Sequence, residues 1–205
     1  MSTPRTIITE PFALTLEIPS IMKLTDEQFF AFCQLNRDYG IERNAHGEII
    51  IMAPAGAETG WRNSELIIDF GNWARQDGTG VVFDSSTGFR LSTGSTRSPD
   101  VAWVRRERLS GFTRQQRQKF LPLCPDFVVE LRSPSDSVKD LQRKMEEYIQ
   151  SGARGGWLID PVNRRVYVYH PDTPVERVDA PDHISDEAVL PAFVLALDRI
   201  WEADF

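Results

Sequence analysis

The sequence is poor in the residues on which many metal and nucleophile chemistries rely. It has two cysteines, Cys33 and Cys124, far apart along the chain. A disulfide framework needs more than that, and a structural zinc site needs a closely spaced pair. Both are therefore read as small buried hydrophobes. The three histidines, His46, His170 and His183, are scattered and form no HExxH, no Cys/His pair and no recognisable Ser-His-Asp context. Metal chemistry in such a chain rests on carboxylates, and oxygen ligands favour Mg²⁺ or Mn²⁺ over Zn²⁺. No stretch reaches the roughly 20 apolar residues that span a bilayer. The opening MSTPRTIITEPFALTLEIPS has no apolar run behind a basic head, so no secretory signal is expected and a cytoplasmic location is. Basic surplus is also missing, since the net charge is −7. A passive nucleic-acid coat would be basic. An enzyme acting on phosphates is not excluded, because it needs clustered acids for a metal and only a local basic surface.

What is present suits one domain. The chain has 205 residues, 41% of them hydrophobic, enough to bury a core. Residues 1–20 are Thr/Pro-rich and read as an extended N-terminal arm, with residues 21–205 as a single domain. Thr25, with Gln28 three residues on, meets the capping-box pattern for a helix that Gly40 ends. IERNAHGEIIIMAP reads as a β-hairpin, PAGAETG as a loop, and SELIIDFGNWARQDG as an amphipathic helix. Short strands follow in VVFDSSTGFRL and SPDVAWV, then a polar, Arg-rich stretch expected to hold a loop and a short helix. PDFVVELRS has a continuous apolar centre and reads as a strand buried on both faces. SDSVKDLQRKMEEYIQSG is a helix with Ser137 at its N-cap and Gly152 as its stop. GGWLID and RRVYVYH pair across the turn PVN, and VLALDRIW is a last short element. The order predicts an α/β (α+β) domain with a mixed central β-sheet flanked by helices.

Three residues carry a chemical signal. Glu130 lies inside the apolar run Phe127, Val128, Val129 and Leu131, where a carboxylate is costly to bury unless a cation or donor meets it. Asp100 abuts the strand Val101 to Val104. If the two strands are neighbours the acids converge and repel, unless a proton or a divalent ion separates them. Lys144 stands at the edge of the helical stripe Leu141, Met145, Tyr148 and Ile149. A strand-loop-helix unit brings it within reach of Glu130, where the acids supply the anionic company it needs. Arg105, Arg106, Arg108, Arg114, Arg117 and Lys119 form a candidate phosphate-facing surface or an ordinary solvated loop.

At FDSSTGFRL, SPDVAWV, LCPDFVVELRSPSD, KMEEYIQSGARGGWLIDPVNRRVYVY and LPAFVLAL the sequence resembles the Uma-family restriction endonucleases, a branch of the PD-(D/E)XK nuclease superfamily. The resemblance covers most of the chain from about Gly47 to Trp201. It implies a restriction-endonuclease-like core and a metal-dependent endonuclease hydrolysing phosphodiester bonds of nucleic acid, most simply DNA, with Mg²⁺ or Mn²⁺ as cofactor. Asp100 takes the place of the motif Asp and Glu130 that of the motif acid, the Leu131 carbonyl being a further metal ligand. The superfamily places its lysine two residues after that acid, where this chain has Arg132. Arginine holds its proton too firmly to act as a base, and Lys144 matches a lysine moved to the following helix. The superfamily often adds an acid from an earlier helix, for which Glu58 and Glu65 are the candidates. A catalytically inactive nuclease-fold binding or scaffold module, and a hydrolase of small phosphate esters, are the competing readings. A homodimer is expected because two-fold dimers are the commonest soluble oligomers.

Overall fold

The apolar run ending in Glu130 and Leu131 organises the centre of the molecule. The computed structural model describes residues 13–18 and 23–205. The chain begins with β1 (Ala13–Leu16), α1 (Asp26–Leu35), the hairpin β2 (Gly40–Arg43) and β3 (Ile49–Met52), and α2 (Ala57–Asp77). Next come β4 (Gly80–Asp84), β5 (Phe89–Arg90), β6 (Thr96–Arg97), β7 (Val101–Arg105) and the short α3 (Arg106–Leu109). Then β8 (Phe127–Leu131), α4 (Val138–Gln150), β9 (Gly155–Asp160) and β10 (Arg165–Tyr169) follow. Last are β11 (Glu176–Asp179), β12 (His183–Ser185), β13 (Val194–Ala196) and α5 (Asp198–Trp201).

The central sheet has six strands in the order β11-β10-β9-β8-β7-β4. Only the β8–β9 pair is parallel, so the sheet is mixed. All five residues of β8 are buried. Phe127, Val129 and Leu131 face a core with Leu66, Phe70 and Ala74 of α2, Trp157, and Phe193 and Ile200 near the C-terminus. Val128 faces the other side, against Ala102, Leu158, and Met145 and Tyr148 of α4. Each such large apolar side chain contributes about 1.5–3 kcal/mol on burial. Side chains alternate along a strand, so Glu130 shares the face of Val128 and points toward α4. A Cβ on Gly156 would lie 2.7 Å from Met145 Cε and 2.9 Å from the Val128 carbonyl. Glycine there lets α4 lie close on the sheet.

A second sheet has the order β1-β3-β2-β6-β5. The segment Ser98-Pro99-Asp100 carries the chain from β6 in this sheet directly into β7 in the central one. Of the expected N-terminal arm, Ala13–Leu16 pairs antiparallel with β3; residues 1–12, 19 and 20 lie outside the described residues.

Several boundaries differ from expectation. The Thr25 capping box forms, with Gln28 N–H donating to Thr25 Oγ1 and Thr25 N–H to Gln28 Oε1. However, α1 stops at Leu35 rather than at Gly40, because Asn36 leaves helical geometry and its side chain donates to the Phe32 carbonyl. Helix α2 starts at Ala57, so the expected loop PAGAETG is mostly helix. A Cβ on Gly60 or Gly71 would meet nothing within 4 Å; each glycine costs only helix propensity, about 1 kcal/mol, which the buried face of α2 outweighs. Ser137 is the N-cap residue of α4 but its side chain makes no capping bond. Cys124 is buried as expected, whereas Cys33 is only partly so. Among the described residues no helix is long and apolar enough to cross a membrane.

Candidate active site

The register of two strands brings the first pair of acids together. Val101 lies opposite Val129 in the antiparallel β7–β8 pair, so Asp100, one residue earlier, faces Glu130, one residue later. Cβ atoms of directly opposed residues lie about 4.5–5.5 Å apart. Asp100 Oδ2 accepts from the Leu131 N–H at 2.8 Å, and Asp100 Oδ1 accepts from Asn63 Nδ2 of α2 at 3.1 Å. Helix α4 supplies the cation. Lys144 Nζ lies 2.9 Å from Glu130 Oε1 and 2.9 Å from Glu42 Oε1. One turn on, the Tyr148 hydroxyl donates to the same Glu130 Oε1 at 2.9 Å. Both donors converge on Oε1, and among the described residues none donates to Oε2, which leaves that oxygen for a cation.

Glu42 comes from the second sheet. Arg43 pairs with Thr96 across β2 and β6, which puts Glu42 opposite Arg97. Arg97 Nη1 meets Glu42 Oε2 at 3.0 Å, and the Ser98 N–H donates to Glu42 Oε1 at 2.8 Å. Arg97 also pairs with Glu147 of α4 at 2.7 Å. The site therefore sits on the seam between the two sheets, with α4 over it and α2 reaching in through Asn63.

The charges do not balance. Among the described residues, the cations that meet Asp100, Glu42, Glu130 and Glu147 are Lys144 and Arg97. Fully ionised, the cluster carries two surplus negative charges. Glu130 is 3% exposed, and burial pushes its carboxyl to about 8; Lys144 pulls it down, while Asp100 and Glu42 push it further up. Burial also raises Asp100, against the Leu131 N–H and Lys144. Burial works on Glu42 in the same direction, but Lys144, Arg97 and the Ser98 N–H outweigh it and hold that carboxyl below its ordinary range. For Lys144 burial favours loss of the proton, yet Glu130 and Glu42 overcome it and raise the ammonium. Without metal, Glu130 and Glu42 thus favour the charged form of Lys144. Tyr148 is raised well above its usual value, by burial first and then by Glu130 and Glu42, and remains a donor. One divalent cation would cancel the surplus, and the available donors, Asp100 and Glu130 Oε2, are hard oxygens of the kind Mg²⁺ or Mn²⁺ takes. Among the described residues no group of three or more His, Cys, Asp or Glu is placed to hold a metal ion.

Of the residues expected from the sequence, Asp100, Glu130 and Lys144 are brought together. Leu131 meets the site through its N–H, which donates to Asp100 Oδ2. Arg132, in the usual lysine position, turns to Asp160 at 3.0 Å and ties the end of β8 to that of β9. The helix acids do not join. Glu58 lies in the first turn of α2 rather than in a loop, with its side chain 65% exposed and paired to Arg62. Glu65 pairs with Arg199. Arg105 and Arg106 do not converge with the acids either. They lie at the opposite end of β7 from Asp100, roughly 17 Å away at 3.4 Å per residue. Arg106 donates to the Gly78 and Gly80 carbonyls, Arg105 pairs with Glu107, and Arg108 pairs with Asp126.

Sequence reasoning missed Glu42, Arg97, Glu147, Tyr148 as a donor, and Asn63. The α4 residues were recoverable from helical spacing, since Tyr148 is four and Glu147 three positions from Lys144. Nothing local distinguishes Glu42 from a solvent-facing strand acid.

The mixed sheet packed between helices is a nuclease-like fold. It is similar to a crystal structure of a "putative nuclease belonging to DUF820" from Anabaena variabilis, with a TM-score of 0.68 and 19% identity over 78% of this chain and 89% of that one. The Uma2 family model, described as "Putative restriction endonuclease", matches residues 26–198. The chain belongs to the Uma2 family. No curated protein matches it.

Proposed function

We propose that this protein is a divalent-metal-dependent endonuclease that hydrolyses phosphodiester bonds in DNA. The observation that carries the reading is the cluster with two more acids than cations, buried at Glu42 and Glu130 and partly exposed elsewhere, arranged around Asp100 and Glu130 Oε2. The family description and the nuclease-like fold support the reaction class.

Asp100 and Glu130 would hold Mg²⁺ or Mn²⁺, with the Leu131 carbonyl as a further oxygen. When bound, the ion would neutralise phosphate charge and lower the pKa of water. The protein's own groups do the rest. Leu131 N–H and Asn63 Nδ2 fix the Asp100 carboxylate from two sides. Tyr148 fixes Glu130. Glu42, held by Arg97 and Ser98, positions the Lys144 ammonium beside Glu130. The Lys144 ammonium, held beside Glu130, would orient the attacking water or stabilise negative charge developing on the phosphate.

The test is cleavage of supercoiled plasmid, linear DNA and RNA with Mg²⁺ or Mn²⁺, beside Asp100→Ala and Lys144→Met proteins. Cleavage of DNA that both substitutions abolish is expected. Full cleavage by both variants would refute the assignment, and metal binding without cleavage of any substrate would favour a scaffold module.

A further inference from the structure

The two acids that would bind a metal do not complete a cation site by themselves, and α2 carries a further oxygen beside them. Asn63 turns its Nδ2 to Asp100 Oδ1. Its own Oδ1 is buried and, among the described residues, has no hydrogen-bond donor. Buried side-chain acceptors without partners are uncommon, and such a group calls for a water or an ion. Among the described residues the other buried side-chain atoms without a partner are nitrogens or a hydroxyl. Asn63 Oδ1 is the one that can only accept, and it belongs to the residue bonded to Asp100. A carboxamide oxygen is a hard donor of the kind that Mg²⁺, Mn²⁺ and Ca²⁺ accept.

The geometry points to Asn63 as a neutral oxygen ligand of the divalent cation, completing the set begun by Asp100 and Glu130. The inference rests on the metal reading above. It explains why neither candidate acid of α2 is needed at the centre: Glu58 pairs with Arg62 and Glu65 with Arg199. A neutral third ligand adds no charge to a cluster already in anionic excess. It thereby limits the repulsion to be borne without metal, at the expense of weaker ion binding, since ligand charge count sets affinity in oxygen sites.

The experiment is calorimetric titration of the full chain with Mn²⁺, with thermal unfolding in EDTA and in Mn²⁺ alongside. The proteins are the parent, Asn63→Ala, Asn63→Asp and the control Glu65→Gln. Loss of a ligand should weaken Mn²⁺ binding by about tenfold or more in Asn63→Ala. Asn63→Asp should bind Mn²⁺ more tightly than the parent while melting lower in EDTA, because its carboxylate faces Asp100, and Mn²⁺ should restore the melting temperature. Glu65→Gln should bind as the parent does. Parent-like binding in Asn63→Ala, or equal loss in Asn63→Ala and Asn63→Asp, would overturn the inference; the second result would mean that only the N–H to Asp100 matters. A parent that binds no Mn²⁺ would overturn this inference together with the metal site. A parent that binds Mn²⁺ through Asn63 but cuts nothing would leave the inference standing and remove the nuclease reading.

Discussion

Replacing Glu130 with glutamine should separate the needs of folding from those of chemistry. Glu130 is 3% exposed, and its carboxyl is raised from an ordinary 4.5 to about 8. The native state therefore keeps a proton that the unfolded chain has already released. The stability this gives is complete below about 4.5 and is lost as pH rises through 8. At about 1.4 kcal/mol per pH unit, ionising Glu130 by pH 9 works against folding by about 3–5 kcal/mol when no metal is bound. Glutamine carries no charge but keeps an oxygen for the Tyr148 hydroxyl and Lys144, and Lys144 retains Glu42. Urea unfolding in EDTA should show the Glu130→Gln protein matching the parent near pH 5. At pH 9 it should exceed the parent by on the order of 2–4 kcal/mol, although its cleavage and Mn²⁺ binding are lost. Mn²⁺ should also flatten the parent's decline with pH, because the ion replaces the proton. Parallel stability curves for the two proteins from pH 5 to 9, or a glutamine variant less stable at pH 9, would refute the charge-surplus argument.

Glu42→Ala removes the shared partner of Lys144 and Arg97 and strips the Ser98 N–H of its acceptor. A loss of about 3–5 kcal/mol in urea unfolding is expected, and a change under 1 kcal/mol would mean that water replaces the carboxylate. Gly156→Ala puts a methyl group against Met145 Cε and the Val128 carbonyl. It should destabilise by about 1–3 kcal/mol through overpacking and reduce cleavage by lifting α4, a pairing of effects that kinetics on folded protein would detect. Arg105→Ala with Arg106→Ala should leave the salt dependence of DNA binding unchanged, since both arginines are engaged at the far end of β7. A slope reduced by about two would reinstate them as phosphate contacts.

Local rules made part of this molecule readable before its structure. The capping box at Thr25, the hairpin of β2 and β3, the fully buried β8 and the inward stripe of α4 depend on neighbours a few residues apart, so period and cap chemistry reveal them. The same rules singled out Asp100 and Glu130, because an acid within or beside an apolar strand needs a partner, and Lys144, because it borders a buried stripe. Helix boundaries were less legible. The glycines of α2 are weak breakers when tertiary burial outweighs their propensity cost, and Asn36 ends α1 through a side-chain bond that no periodicity marks. Only the tertiary structure could recruit Glu42, Arg97 and Asn63, set Glu58 and Glu65 aside, and carry Arg105 and Arg106 away from the acids. Those outcomes follow from the register between remote strands and from the path of the chain through Ser98 and Pro99 from one sheet to the other. Pairing of remote strands is decided by the packing of whole faces, whereas sequence pattern reports only which face of its own element a residue occupies.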